Sequence, residues 1–333
     1  MLAQRLSLAL GTGGLALPDG GIIVVLHPGG QADLSALPRD RVVVVAPLKP
    51  DFDHFTAQGY NCVVDAAEAG APCAAVLVCL PRAKALAQTL IARAAALAPQ
   101  VLIIDGQKTD GVDSMLKAVR GRLAVQGPIA KAHGKMFWVR DPAADAVADW
   151  AAGPSLTAGG FWTAPGVFSA DAVDPASAML VDNLPPKLGR SVADLGAGWG
   201  FLAAHVLTRT DVEVVHLVEA DHMALECARR NVTDPRASFH WADATLWQPP
   251  HKMDGVVMNP PFHTGRAADP SLGQAFVASA ARILAPQGQL WMVANRHLPY
   301  ETTLEAHFAK VSELGGDARF KVLHAARPAR KRG

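Results

Sequence analysis

An aspartate followed by three glycines at alternate positions, Asp194-Leu195-Gly196-Ala197-Gly198-Trp199-Gly200, constrains this chain more than any other stretch. The apolar run Leu188 to Leu195 leads into it and Phe201 to Leu207, which reads as a helix, leads out. Strand, glycine loop and helix in that order make the βα corner of a parallel sheet. Gly196 permits the sharp turn, and Gly198 and Gly200 let the backbone approach a ligand because no Cβ intrudes. The spacing is G-x-G-x-G, not the G-x-G-x-x-G of dinucleotide sites. Asp194 adds a carboxylate that can engage the region near a bound amino-acid cation.

A second apolar run, Asp254 to Met258, delivers the chain to Asn259-Pro260-Pro261-Phe262. Ligands of doubly wound sheets sit outside the carboxyl ends of the strands, so both motifs are expected on one rim. Asn259 offers a carbonyl acceptor to an amino group. Pro260 and Pro261 fix φ and remove backbone donors, leaving carbonyls as acceptors. Phe262 offers a face on which a base can stack, although a rigid Pro-Pro turn with a core phenylalanine is the plainer alternative. Between the two motifs, Val212 to Val218 reads as a strand ending at Glu219, an acid about 20 residues after the glycines, where it suits a ribose diol. His222 to Asn231 reads as a helix, and Asp243 follows the short strand Ala237 to Trp241, either accepting from an adenine amine or shaping a turn.

The 333 residues predict about two domains of roughly 150 residues each. In the first half, Ile22 to Leu26, Val42 to Ala46, Ala75 to Leu80 and Val101 to Asp105 read as strands, with the helix Ala83 to Ala98 among them, again a parallel α/β pattern. No ligand-binding glycine loop follows these strands; Leu26-His27-Pro28-Gly29-Gly30 comes nearest. Residues 1–150 are therefore expected to be a scaffold or docking domain that performs no chemistry. Asp105-Gly106-Gln107-Lys108 and Lys131 to Lys135 read as charged loops, either solvated or touching RNA. Residues 151–160, rich in Gly and Ala, read as a linker, and 161–333 as the domain carrying the chemistry. Near its start, Asp174-Pro175 is set to cap a helix. Gln274 to Leu284 reads as a helix, Pro286-Gln287-Gly288 as a turn and Leu290 to Ala294 as a strand. The segments around His307 to Leu314 and Arg319 to Ala325 read as a closing β-hairpin, followed by a basic tail at Arg327, Arg330, Lys331 and Arg332 that either frays or attracts RNA.

A net charge of +1 excludes a chain that binds nucleic acid through bulk charge, so any such surface is a local patch. Four scattered cysteines without C-x-x-C spacing point to neither a zinc site nor a disulfide framework, and suit a reducing cytoplasm. No metal is expected, and no oligomer is indicated. Gly11, Gly13 and Gly14 interrupt the apolar N-terminus too early for a signal peptide, and no run of roughly 18 apolar residues could span a membrane.

The glycine loop, Glu219, Asp243 and Asn259-Pro-Pro-Phe262, in this order, resemble class I S-adenosylmethionine-dependent N-methyltransferases. With Pro165-Gly-Val-Phe-Ser169 and Val293-Ala-Asn-Arg-His-Leu-Pro-Tyr300, the chain resembles more closely the bacterial ribosomal RNA guanine-N2 methyltransferases, over about Phe161 to Arg327. Ala176 departs from that family's usual D-x-G-S stretch. The resemblance implies two tandem Rossmann-like α/β domains, each a doubly wound, mostly parallel sheet, of which only the C-terminal one is active. It implies that Asp194, Gly196, Ala197, Gly198, Glu219, Ala220, Asp243, Ala244 and Asn259 hold S-adenosylmethionine, and that Asn259, Pro260, Pro261 and Phe262 hold the target guanine. The expected substrate is ribosomal RNA, most directly 16S, as free RNA or in a subunit or assembly particle. Large-subunit RNA, protein glutamine and DNA adenine are the alternatives, because their N-methyltransferases share a similar N-P-P motif. A nicotinamide oxidoreductase is opposed by the glycine spacing. Pyrimidine C5 methylation generally needs a cysteine nucleophile, and none lies near Asn259 in the sequence.

Overall fold

Continuous β-branched runs such as Ile22-Ile-Val-Val-Leu26 and Val42-Val-Val-Val45 have no polar face, so their strands must be covered on both sides. The computed structural model, which describes residues 1–261 and 270–329, covers them as that rule requires. The chain divides into two units, Met1–Gly153 and Pro154–Gly333.

The first unit runs α1 (Leu2–Gly11), β1 (Ile22–Leu26), β2 (Val42–Val45), α2 (Lys49–Ala57), β3 (Asn61–Val63), β4 (Cys73–Cys79), α3 (Lys84–Ala96), β5 (Val101–Gln107), α4 (Val112–Arg120), β6 (Val125–Lys131) and β7 (Gly134–Arg140). Its sheet has the order β3-β2-β1-β4-β5-β7-β6. The strands from β3 to β5 are parallel, and the hairpin β6–β7 closes the edge antiparallel. Val24 and Leu26 face one core with the apolar stripe of α4 (Val112, Met115, Leu116, Val119), while Ile23 and Val25 face the other with Leu2, Leu6 and Ala9 of α1.

The second unit opens with the short hairpin β8 (Ser155–Leu156) and β9 (Trp162–Thr163), so the stretch read as a linker is in part a paired strand. There follow α5 (Pro175–Asp182), β10 (Ser191–Leu195), α6 (Phe201–Val206), β11 (Val214–Glu219), α7 (His222–Asn231), β12 (Ala237–Trp241), β13 (Met253–Met258), α8 (Pro270–Ile283), β14 (Leu284–Asn295), α9 (Tyr300–His307), β15 (Phe308–Gly316) and β16 (Phe320–Pro328). The strand order β12-β11-β10-β13-β14-β16-β15 repeats that of the first unit position for position. Both sheets are thus doubly wound and mostly parallel, with β15–β16 forming the expected closing hairpin.

Three local expectations need correction. Asp105–Gln107 is the end of β5 rather than a loop, because Arg5 satisfies the Asp105 carboxylate inside the unit. Lys131 and Gly134 end the two strands of a hairpin that the proline and glycines around Gly127-Pro128 concealed. Pro286-Gln287-Gly288 does not break the chain; it lies within β14, where the pairing with β13 slips from Met253↔Leu284 to Gly255↔Gln289.

β11 and β12 carry a partly buried polar pair. His216 and His240 share a hydrogen bond of 2.9 Å between Nδ1 and Nε2, and the Trp247 ring lies against both. Burial pushes the His216 pKa down to about 4, and the neighbouring His240 adds to the push. An unfolded histidine titrates near 6.5, so between about pH 6.5 and 4 the unfolded chain binds the proton that folded His216 refuses. His216 therefore contributes fully above that window and loses its contribution as pH falls through it. Wild type should lose up to about 3 kcal/mol relative to His216→Gln across that window, in urea titrations at stepped pH.

Candidate active site

The order of strands reverses between β10 and β13, which lie side by side with Val192 paired to Gly255 and Asp194 to Val257. That switch point is where a doubly wound sheet opens a crevice at the strand ends. The glycine loop leaves β10 there, and the Asn259 corner leaves β13 beside it.

All three glycines have left-handed backbone, with φ of +74° at Gly196, +55° at Gly198 and +89° at Gly200. Only Gly198 leaves open space where a Cβ would stand, so it is the position at which a ligand can approach the chain. Gly200, expected to do the same, does not: a Cβ there would lie 2.9 Å from Val232 Cγ2 and 3.3 Å from Ala228 Cβ, so this glycine serves the packing of α7. The N–H groups of Gly196 and Ala197 both donate to Val218, which ties the loop to β11.

Asp194 is fully buried beneath the loop. Its Oδ2 accepts from the Ala203 N–H of α6 at 3.0 Å, while Oδ1 has no partner among the described residues. Burial raises its pKa to about 8, opposed by the Ala203 hydrogen bond and assisted by the charge of Glu219. Glu219 ends β11 and accepts from Gly198 N–H at 2.7 Å and from Asp221 N–H at 2.8 Å. Burial pushes its pKa up to about 7 against those two hydrogen bonds. Ala220 accepts from the Trp241 indole. Asp243 shapes a turn, its Oδ1 taking both the N–H and the hydroxyl of Thr245, and Ala244 accepts from Ser279 in α8.

Asn259 stands at the end of β13. Its Nδ2 donates to Asp174 Oδ2 and to Ser177 Oγ, both at 2.9 Å. Pro260 is buried and Pro261 exposed. Phe262 and His263 lie outside the described residues, as do Arg330, Lys331 and Arg332 of the tail. Asp174 caps α5 as the Asp-Pro pair predicts, with Oδ2 accepting from Ser177 N–H at 2.8 Å. Asn259, Asp174, Ser177, Gly196, Ala197 and Gly198 line one cleft. Phe168, more than half exposed, stands at the same cleft, held where its carbonyl accepts from the Trp199 indole at 3.1 Å. Asn231 in turn donates to Trp199 and Trp162, fixing the segment before α5 against the loop.

The fold thus brings together the glycine loop and Asn259 in one cleft. Glu219 joins them through Gly198, while Ala220, Asp243 and Ala244 lie farther along the same rim, at the ends of β11 and β12. Sequence reasoning missed Ser177 and Trp199. The signal for Ser177 is its place at the end of the stretch that corresponds to D-x-G-S, three residues after the capping Asp174.

Residues 158–324 match the family described as methyltransferase small domain. The chain is 37% identical over 167 residues to ribosomal RNA small subunit methyltransferase C of Hahella chejuensis, covering 50% of this chain and 49% of that one. It is 32% identical over 260 residues to the protein of the same name from Shewanella oneidensis, covering 75% and 76%. Among solved structures, the T. thermophilus 16S rRNA N2 G1207 methyltransferase in complex with AdoMet and guanosine matches with a TM-score of 0.78 at 26% identity, over 98% of this chain and 91% of that one. Agreement of this extent, with a relative that the chain spans over three quarters of its length, places the chain in the ribosomal RNA small subunit methyltransferase C family of S-adenosylmethionine-dependent methyltransferases.

Proposed function

We propose that this chain transfers a methyl group from S-adenosylmethionine to the exocyclic N2 of a guanine in 16S ribosomal RNA. The observation that carries this reading is the Asn259 amide, whose nitrogen is occupied by Asp174 and Ser177, leaving its oxygen as an acceptor at the cleft. An amino group is a donor, and an acceptor at Asn259 holds it with its lone pair free to attack. Pro260 and Pro261 supply no competing N–H. The structural relative that carries both AdoMet and guanosine supports the same pairing of donor and base.

The residues fit the cofactor. Gly198 leaves room where a side chain would intrude, Asp194 Oδ1 is a buried acceptor without a partner, and Glu219 presents two carboxylate oxygens at the next strand end. Gly196, Ala197 and Gly198 would cradle the amino-acid end, Glu219 with Ala220 the ribose, and Asp243 with Ala244 the adenine. S-adenosylmethionine supplies an electrophilic sulfonium methyl, and the protein supplies position and electrostatics. Asn259 would orient the amine for in-line attack on that methyl, the N–C bond forming as the S–C bond breaks with S-adenosylhomocysteine as the leaving group, and the amine's proton would pass afterwards to solvent water. Holding the two reactants in this geometry contributes up to roughly 7–11 kcal/mol to the lowering of the barrier.

Because the Glu219 carboxyl is held up to about 7, its ionised form, the better acceptor for ribose hydroxyls, gains population as pH rises through neutrality. Affinity for S-adenosylmethionine should rise by up to about tenfold from pH 6 to pH 8, in calorimetry, and Glu219→Gln should flatten that profile.

The first unit is proposed to dock RNA without binding cofactor. In support, the loop after β1 is closed by the chain's own Asp51, whose carboxylate accepts from Gly30 N–H at 2.7 Å. The proposed ribosomal RNA substrate also supports a cytoplasmic location. Among the described residues no helix is long and apolar enough to cross a membrane and no cluster could hold a metal ion. Transfer of labelled methyl groups to ribosomal RNA, duplex DNA and protein, assayed side by side, tests the reading. Label in RNA alone is expected, and label in DNA or protein alone would refute it.

A further inference from the structure

The structure assigns Asp174 and Ser177 a role beyond capping α5: they fix the orientation of the Asn259 amide and so make it an acceptor toward the base. The inference rests on the guanine-N2 reading above and names the residues that enforce its selectivity.

An asparagine amide can present either its oxygen or its nitrogen to a ligand, and a rotation of 180° interchanges them. A carboxylate accepts hydrogen bonds and does not donate them. The Asn259 atom facing Asp174 Oδ2 at 2.9 Å must therefore be nitrogen. The second amide hydrogen is taken by Ser177 Oγ, also at 2.9 Å, so both donors are spent on α5. Ser177 is buried, and Asp174 is held by the Ser177 N–H at 2.8 Å, so the acceptor pair is itself fixed by the first turn of the helix. Asn259 and Asp174 are 85 residues apart in sequence, and all three side chains line the same cleft. The consequence is specific. With the amide locked, a base bearing an amino group meets an acceptor. With it free, a base bearing a carbonyl or no group at that position is accommodated as well, because the amide turns its donor outward.

Asp174 and Ser177 are positioning residues, and the test separates them from mere scaffolding. Ser177→Ala leaves the helix cap in place, since the cap uses the backbone N–H of residue 177. It should lower kcat on ribosomal RNA by about tenfold, while affinity for S-adenosylmethionine by calorimetry changes less than about twofold. Asp174→Ala should lower kcat by about 10², and Asp174→Asn, which keeps an acceptor oxygen, should recover part of that loss. The decisive readout is competition by guanosine against inosine, which lacks the N2 amine. Wild type should prefer guanosine by about tenfold or more, and Ser177→Ala and Asp174→Ala should lose most of that preference. If wild type shows no preference, the guanine-N2 reading fails, and this inference with it. If wild type prefers guanosine and both variants retain the preference and the turnover, the locking role is overturned and the guanine reading stands. If cofactor affinity falls in step with kcat, the two residues act on the cofactor and the inference is wrong.

Discussion

Asn259→Ala should turn over about 10²–10³-fold more slowly than wild type, by analogy with removal of one aimed donor from an oxyanion hole, while binding S-adenosylmethionine almost unchanged. On the proposed reading its oxygen would act on the amine of the base, whereas the glycine loop and Glu219 would hold the donor. The loss should fall on kcat because the contact matters most while the amine attacks. Asn259→Asp, nearly isosteric, should not rescue: its second oxygen would face the Asp174 carboxylate in place of the amide nitrogen, and two like charges would meet. Single-turnover rates with labelled methyl donor, alongside calorimetric cofactor affinities, give both quantities. Equal turnover in Asn259→Ala would remove the residue from the mechanism.

Arg5→Ala should cost about 3–5 kcal/mol, the largest single-site loss expected in the first unit. The Arg5 guanidinium is fully buried and grips Asp105 with both arms, Nε to Oδ1 at 2.6 Å and Nη2 to Oδ2 at 2.7 Å, while Nη1 donates to the Lys131 carbonyl at 3.0 Å. Truncation would leave Asp105 buried without its partner, where burial already raises its pKa. It would also free the carbonyl at the tip of the β6–β7 hairpin. Arg5→Met combined with Asp105→Leu should recover most of the loss, because removing both charges removes the desolvation penalty as well. Urea unfolding of wild type and the two variants checks this, and an unchanged midpoint in Arg5→Ala would show that the pair contributes nothing.

Local patterns made the second unit legible. The G-x-G-x-G loop, the acid ending β11 and the Asn-Pro-Pro corner after β13 each occupy a few consecutive residues, and each marks a strand end. The side-by-side placement of β10 and β13 then follows from the rule that ligand crevices form where strand order reverses. What escaped was non-local or locally misleading. Arg5 and Asp105 are 100 residues apart, so nothing near either one signals that Asp105 is buried. Pro286 and Gly288 have the composition of a turn, but the pairing of β14 with β13 and β16 overrides it. Gly198 and Gly200 look alike in sequence, and only the neighbours of each show that one leaves space for a ligand and the other for a helix. The lock on Asn259 spans 85 residues and depends on the first turn of α5, which sequence reading identified as a cap and as the place of a D-x-G-S stretch without linking it to Asn259.

Nucleoside analysis of ribosomal RNA by mass spectrometry, in a strain lacking this chain and complemented either with wild type or with Asn259→Ala, tests the central claim most directly. The account predicts that one N2-methylguanosine of 16S RNA disappears in the deletion, returns with wild type and stays absent or strongly reduced with Asn259→Ala. An unchanged N2-methylguanosine content in the deletion, or its full return with Asn259→Ala, would contradict it.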